Sequence, residues 1–196
     1  MDYKKVYQKY DKKLSQILSA HRYQHSMRVV DTALSINQYF FLDRELVALA
    51  GLVHDRGKEI PEERLVKLAK QTDLLIDEAE EYNPELLHGP IGAYLLSQEG
   101  IKELDLLNAV RYHTTGRPKM SQLEILIFLA DLVEPARDYP KSEMLRKLAF
   151  RTPVTAMRKA LDWTLEYLIR DELVIHPLTI QARNYYLYNR EFSINK

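Results

Sequence analysis

Apolar residues along the chain recur three and four positions apart, the spacing of one helix face, with little of the two-residue alternation of a strand. The pattern predicts an all-α protein. A first helix is expected over 3–19, with Val6, Tyr10, Leu14, Ile17 and Leu18 on one side. A second is expected over 22–40, where His25, Val29, Val30, Ala33, Ile36 and Asn37 lie near one another in angle. Asp43 suits the N-cap of a third, over 44–54. Leu46, Val47, Leu49, Ala50, Leu52 and Val53 make that helix apolar nearly all round, as in a buried central helix. Gly57 is placed to stop it.

Further on, Pro61-Glu62-Glu63 opens a short helix to about 70, with Pro at its first position and acids in its first turn. Residues 73–82 supply one or two helical turns. The turn Leu87-His88-Gly89-Pro90 leads into a helix over 90–97. The next, 101–113, ends at the breaker Thr114-Thr115-Gly116-Arg117-Pro118. Residues 122–133 are strongly apolar, so Asp131 is carried toward the interior. Helices over 142–150, 155–170 and 178–189 complete the set. No linker, repeat or low-complexity segment interrupts them, and one helical domain spanning 1–196 is expected.

Composition narrows the chemistry. The 28 basic and 28 acidic residues balance, which removes any global pull toward nucleic acid or an acidic membrane. Attraction for an anion has to be local. The absence of Cys excludes disulfides, a thiol nucleophile and thiolate metal ligation. With no apolar signal segment and no membrane-length apolar run, a cytoplasmic protein is expected. Tyr185, Tyr186, Leu187 and Tyr188 either pack internally or form a homodimer face.

Against this background His54-Asp55 stands out at the end of the apolar third helix. Three more histidines, His25, His88 and His113, and the carboxylate of Asp131 are candidates to join it. A buried Asp131 needs a partner, and a metal ion is one, an arginine or a helix cap another. Four imidazoles and two carboxylates without sulfur suit iron, manganese, zinc or cobalt. Two divalent ions against two carboxylates leave a cationic site, which favours a phosphate-bearing substrate. His21 and His176 are set apart, since neither sits beside a motif acid and His176 precedes Pro177 in an expected loop.

In order, His25, His54-Asp55 and Asp131 resemble the His, His-Asp, Asp series of the HD-domain metal-dependent phosphohydrolases, a helical superfamily. Asp55-Arg56-Gly57-Lys58 resembles their Asp-x-Gly-Lys continuation, and His88 and His113 fall where two-metal members carry extra histidines. Longer stretches resemble one bacterial branch, the HD-type symmetrical bis(5'-nucleosyl)-tetraphosphatases, which hydrolyse diadenosine tetraphosphate to two ADP. These are His21-Arg22-Tyr23-Gln24-His25-Ser26, Leu87-His88-Gly89-Pro90-Ile91-Gly92-Ala93, Tyr112-His113-Thr114-Thr115-Gly116, the segment 129–138 and the segment 176–184. The chain departs from the branch at Arg56 and Gly57, where an aromatic and an Ala are common, and at Ala136, where Gly is common. Arg56 is thereby a candidate to alter the substrate pocket.

The resemblance implies an HD-type helical bundle with a dinuclear centre, iron by family habit and manganese, cobalt or zinc as alternatives. It implies His25, His54, Asp55 and Asp131 on one ion, with Asp55 bridging to a second held by His88 and His113. Lys58 and Arg117 are placed to act in catalysis, and together with Arg137 to neutralise the phosphate chain. Thr114 and Thr115 are placed to donate hydrogen bonds to phosphate oxygens. The expected partner is a small nucleotide. The alternative substrate is another nucleotide or an alarmone; a diiron oxygenase and a regulatory module are other uses of the same shell.

Overall fold

Several helices begin where a polar side chain takes up the N–H groups that a first turn leaves without partners. In the computed structural model, which describes residues 1–72 and 74–189, Asp2 accepts from Lys5 N at 3.0 Å and opens α1 (Tyr3–Ile17). Ser19 caps α2 (Ala20–Ile36), so that helix starts two residues earlier than the apolar pattern indicates. Its end tightens into a 3-10 turn over Asn37–Tyr39. Asp43 accepts from Glu45 N and Leu46 N, both at 2.9 Å, to open α3 (Arg44–Val53). A reciprocal box between Ser121 and Glu124 opens α8 (Gln122–Val133).

The remaining helices are α4 (Glu62–Gln71), α5 (Glu78–Tyr82), α6 (His88–Gln98), α7 (Leu104–Tyr112), α9 (Ser142–Ala149), α10 (Pro153–Arg170) and α11 (Pro177–Tyr188). No strand occurs among the described residues. Boundaries shift where caps outrank periodicity. Pro61 is the N-cap of α4 rather than its first helical residue. Of the turns expected over 73–82, only Glu78–Tyr82 is helical, opened by a capping box at Asp77, and Asp73 lies outside the described residues. A 3-10 turn over Pro84–Leu87 runs directly into α6, so that helix begins at His88 instead of Pro90. Pro90 is tolerated there because its missing N–H would have had no partner in the first turn.

Two helices form the centre. Val47, Leu49, Ala50, Leu52 and Val53 of α3 have no solvent exposure, and the same holds for Leu123, Ile125, Leu126, Ile127, Leu129 and Ala130 of α8. Full burial of each leucine or isoleucine contributes roughly 1.5–3 kcal/mol, so these two helices anchor the fold. α2 packs on both α3 and α8, α7 lies between α6 and α8, and α1 covers α3. α9, α10 and α11 close the far side of α8. At the α2–α3 crossing a Cβ on Gly51 would lie 3.1 Å from Val30 Cα. The bare glycine lets the backbones approach closely, which draws α2 toward the end of α3.

Arg56 serves the fold and does not reach the substrate cavity described below. Its Nη2 donates to Glu99 Oε1 at 3.0 Å, an oxygen that also lies 2.7 Å from Lys13 Nζ. That cluster ties α1 to the end of α6. The Tyr-rich C-terminal turn packs mainly inward: Tyr186 is fully buried, Tyr185 packs against the core, and Tyr188 is exposed. No helix among the described residues is long and apolar enough to cross a membrane.

Candidate metal centre

Five segments deliver six side chains to one buried point. His25 comes from the middle of α2, His54 and Asp55 from just beyond α3, and His88 from the first residue of α6. His113 follows the last residue of α7, and Asp131 lies near the end of α8. The His54-Asp55 stretch is a run of tight turns, with Arg56 N, Lys58 N and Ile60 N each bonded to the carbonyl three residues back. All four imidazoles and Asp55 are buried; the Asp131 side chain is 14% exposed.

The histidines are held in one tautomer. Nδ1 of His54 donates to Gly51 O at 2.7 Å, that of His113 to Val110 O at 2.7 Å, and that of His88 to Glu85 O at 2.5 Å. For His54 and His113 the acceptor is one of the last carbonyls of the preceding helix, which has no partner within the helix. A carbonyl can only accept, so in each neutral ring the proton is on Nδ1 and the Nε2 lone pair faces the centre. His25 is set the same way by a carboxylate, Glu134 Oε1, at 3.1 Å from its Nδ1. Glu134 is held in turn by Arg28 Nε at 2.7 Å and by Ala136 N at 2.8 Å.

This arrangement fits a cation. Nε2 of His88 and Nε2 of His113 stand 3.0 Å apart with their lone pairs opposed. Nε2 of His25 and of His54 are buried without a hydrogen-bond partner. Asp55 lies in the middle, its Oδ2 3.7 Å from His25 Nε2 and 3.5 Å from His54 Nε2. Its Oδ1 is 3.6 Å from His88 Nε2 and 3.4 Å from His113 Nε2. Asp131 Oδ1 is 3.0 Å from His25 Nε2 and 3.9 Å from His54 Nε2. Three overlapping groups have donor atoms close enough to share an ion: His25, His54 and Asp55; His54, His113 and Asp131; Asp55, His88 and His113.

The electrostatics agree. Burial opposes the charge on Asp55, but His54 and His113 overcome it and hold the carboxyl well below its usual range. Asp131 is likewise held low, burial being outweighed by His25, His54 and Arg137. Burial would depress His54, yet Asp55 and Asp131 keep that imidazole above its ordinary value. His88 has the opposite balance: burial, then the neighbouring His113, pull it down to about 3, leaving it neutral and available as a donor.

Residues 22–136 match the family model described as the HD domain. The chain belongs to the HD-domain family. It is 37% identical over 179 residues to the symmetrical bis(5'-nucleosyl)-tetraphosphatase of Halalkalibacterium halodurans, spanning 89% of this chain and 93% of the relative. To the Bacillus subtilis protein of the same name it is 35% identical over 176 residues, 88% of this chain and 92% of the relative. A solved HD superfamily hydrolase from Clostridium acetobutylicum, described as involved in NAD metabolism, matches with a TM-score of 0.88. Its identity is 37%, covering 93% of this chain and 97% of that one.

Around the HD cluster the other expected site residues divide. Thr114, Thr115 and Arg137 line a cavity of about 670 Å³ that His113 and Asp131 also line. Thr114 Oγ1 is 3.2 Å from His113 Nε2, whereas the Thr115 hydroxyl donates to Gly116 O at 3.0 Å. Arg137 is ion-paired with Asp131. Lys58 is not among the residues that line the cavity; its Nζ lies 2.5 Å from Glu85 Oε1. Arg117 does not join the cluster. Its Nε and Nη2 grip the two oxygens of buried Glu124 at 2.6 and 2.7 Å, so its guanidinium holds the start of α8. Arg117→Ala is expected to cost about 2 kcal/mol, roughly 4–8 °C in Tm, with KM unchanged. Calorimetry and steady-state kinetics on the same preparation check it.

Two residues of this HD centre carry no role in the sequence reading. Arg22 Nη1 donates to Asp55 Oδ2 at 2.7 Å, and Glu134 orients His25. Each stands three positions from a ligand candidate on its helix or at its end, Arg22 before His25 and Glu134 after Asp131, a spacing that could have flagged them. Glu134→Gln is expected to weaken metal affinity about 10–100-fold, the usual effect of removing a carboxylate behind a ligating histidine. A metal titration followed by calorimetry measures it. His21 is exposed and plays no part in the cluster. His176 lies in the loop before α11, as expected, where it is the buried N-cap of that helix and lines the cavity.

Proposed function

We propose that this HD-domain chain, taken as one unit over 1–196, hydrolyses diadenosine tetraphosphate and related dinucleoside tetraphosphates symmetrically. Water and one substrate molecule yield two nucleoside diphosphates. Asp55 carries the reading: its two oxygens face two different pairs of imidazoles, which supports a carboxylate bridging two divalent ions. His25, His54, Asp55 and Asp131 would hold one ion; Asp55, His88 and His113 would hold the other. Bound there, the ions would supply Lewis-acid polarisation of a phosphoryl oxygen and an acidified water. We assign iron, for which manganese, cobalt or zinc are acceptable substitutes at the same donors.

The chain's own groups bind and position the phosphates. Arg137 lines the cavity, its Nε held by Asp131 O at 2.8 Å; were Asp131 to hold a cation, the Arg137 Nη2 would be available to phosphate oxygens. Thr114 offers a hydroxyl donor beside His88 and His113. Lys58 and Arg22 provide positive charge beside Glu85 and Asp55. Charge stabilisation of this kind is what phosphoryl transfer needs most from a protein. The names of the Halalkalibacterium and Bacillus relatives support the substrate, and a small nucleotide substrate supports a cytoplasmic setting.

The decisive experiment incubates chelator-stripped protein, restored with iron or manganese, with diadenosine tetraphosphate. ADP as sole product is the expected result; equal ATP and AMP, or no hydrolysis with either metal, overturns the proposal. The Clostridium structure's description favours a second reading, another nucleotide as preferred substrate. A panel that includes NAD and guanosine polyphosphates separates the two by relative kcat/KM.

A further inference from the structure

The cavity runs well beyond the part that metal and phosphate chemistry would use. His113, Thr114 and Asp131 line the end at the metal centre, whereas Trp163, Tyr167, Val174 and His176 come from α10 and the segment before α11, which carry no ligand candidate. Its volume of about 670 Å³ is within the roughly 300–1,000 Å³ of cavities that enclose one small organic ligand. Cations in that wall are already engaged: Lys141 pairs with Glu166 at 2.5 Å and Arg170 with Asp171 at 2.7 Å. Lys141 also sits over the Trp163 ring, 5.0 Å from its centroid, and steadies the indole. An apolar, aromatic wall without a spare cation suits a flat, uncharged ring better than a phosphate.

His176 supplies a directed polar group. It is 5% exposed. Its Nδ1 accepts the backbone N–H of Leu178 at 3.1 Å, which caps α11. A ring nitrogen that accepts carries no proton, so the neutral imidazole has its proton on Nε2. That N–H makes no hydrogen bond among the described residues. The nearest carboxylate oxygen, Glu80 Oε1, is 3.9 Å away, and the other oxygen of Glu80 accepts from Asp77 N at 2.9 Å. A donor fixed by a helix cap and left without an acceptor is poised to orient a ligand.

We infer that this wall is a nucleobase subsite, in which one base of the nucleotide seats against Trp163 and Tyr167 and His176 donates its Nε2–H to a ring acceptor. The inference rests on the nucleotide class of the proposed function, not on the hydrolysis itself. Base stacking on aromatic side chains tolerates any base, and a single donor fixes the ring's orientation. His176 is then a specificity-determining residue contributed by α11, an element that carries none of the metal-ligand candidates.

Trp163 is the chain's single tryptophan, so its fluorescence reports on this wall alone. The metal-loaded protein is titrated with AMP and ADP, and with ribose 5-phosphate and pyrophosphate as probes that lack a base. Saturable changes with AMP and ADP, and none with the base-free probes, are expected. His176→Asn keeps an acceptor for the α11 cap but shortens and redirects the donor; AMP is expected to bind about tenfold more weakly. Val174→Tyr, which fills the cavity from its rim, should abolish the AMP response while metal content stays unchanged; it decides the matter if His176→Asn fails to fold. No response to AMP, an equal response to ribose 5-phosphate, or wild-type AMP affinity in both variants overturns the subsite. A protein that shows the AMP response yet releases no ADP from diadenosine tetraphosphate retains the subsite and loses the hydrolase reading. ADP release without a Trp163 response does the reverse.

Discussion

Asp55→Ala is expected to abolish ADP release from diadenosine tetraphosphate, a loss of at least on the order of 10³-fold, and to leave the protein with little bound metal. Asp131 also approaches His25, His54 and His113, but only Asp55 has an oxygen within 4 Å of each of the four imidazoles among the described residues. With Oδ1 and Oδ2 gone, His25 and His54 on one side and His88 and His113 on the other have no shared anion between them. Without the central carboxylate nothing between them offsets the mutual repulsion of two divalent ions held close together. Arg22 would also lose its partner at 2.7 Å and add a positive charge beside the site. Metal analysis separates this from simple misfolding: a folded variant, by circular dichroism, with metal near zero is the expected outcome. Unchanged turnover, or full occupancy by two ions, would sink the bridging role. His21→Ala, at an exposed position outside the cluster, serves as the matched control with wild-type activity.

Gly57→Ala should be almost as damaging, through packing instead of ligand loss. A Cβ at Gly57 would lie 2.4 Å from the carbonyl oxygen of His88 and 3.1 Å from its Cα. The obstacle is backbone, so no rotamer relieves it. Either the turn after Asp55 or the start of α6 must move, by about 1 Å, and misplacement on that scale costs on the order of 10²-fold in rate. Overpacking of this severity also destabilises by about 3 kcal/mol, a Tm fall of roughly 6–12 °C. The informative measurement is metal stoichiometry: occupancy should drop most in the half of the site that uses His88. Wild-type Tm together with wild-type activity would show that the approach is not tight in solution.

Gly57 also illustrates how a correct residue can be read for the wrong reason. From the sequence it looks like a helix stop. Its backbone is not left-handed; the only positive-φ glycines among the described residues are Gly100 and Gly116. The helix ends at Val53, and the glycine is there because His88, distant in sequence, presses against it. Arg56 and Arg117 teach the same lesson from the other side. Both stand in motifs, yet their partners, Glu99 and Glu124, are known only once α6 and α8 are in place. His176 does lie in a loop, but nothing in the sequence signals that its ring caps α11.

What the sequence determined by itself was whatever depends on neighbours a few residues away. Helical periodicity, the cap at Asp43 and the strongly apolar make-up of α3 and α8 are local consequences of side-chain order, and the ordered His, His-Asp, Asp series was enough to choose the family. What only the tertiary structure decided was direction. Whether an imidazole presents Nδ1 or Nε2 depends on which carbonyl or carboxylate lies behind it. Whether an arginine meets a substrate or a buried glutamate depends on which helix packs across from it. Those partners are set by helix packing: the bare Gly51 brings α2 against α3, and Gly57 admits the start of α6. Spacing along one chain does not encode such contacts, because each is a distance between elements and becomes definite only when the core closes.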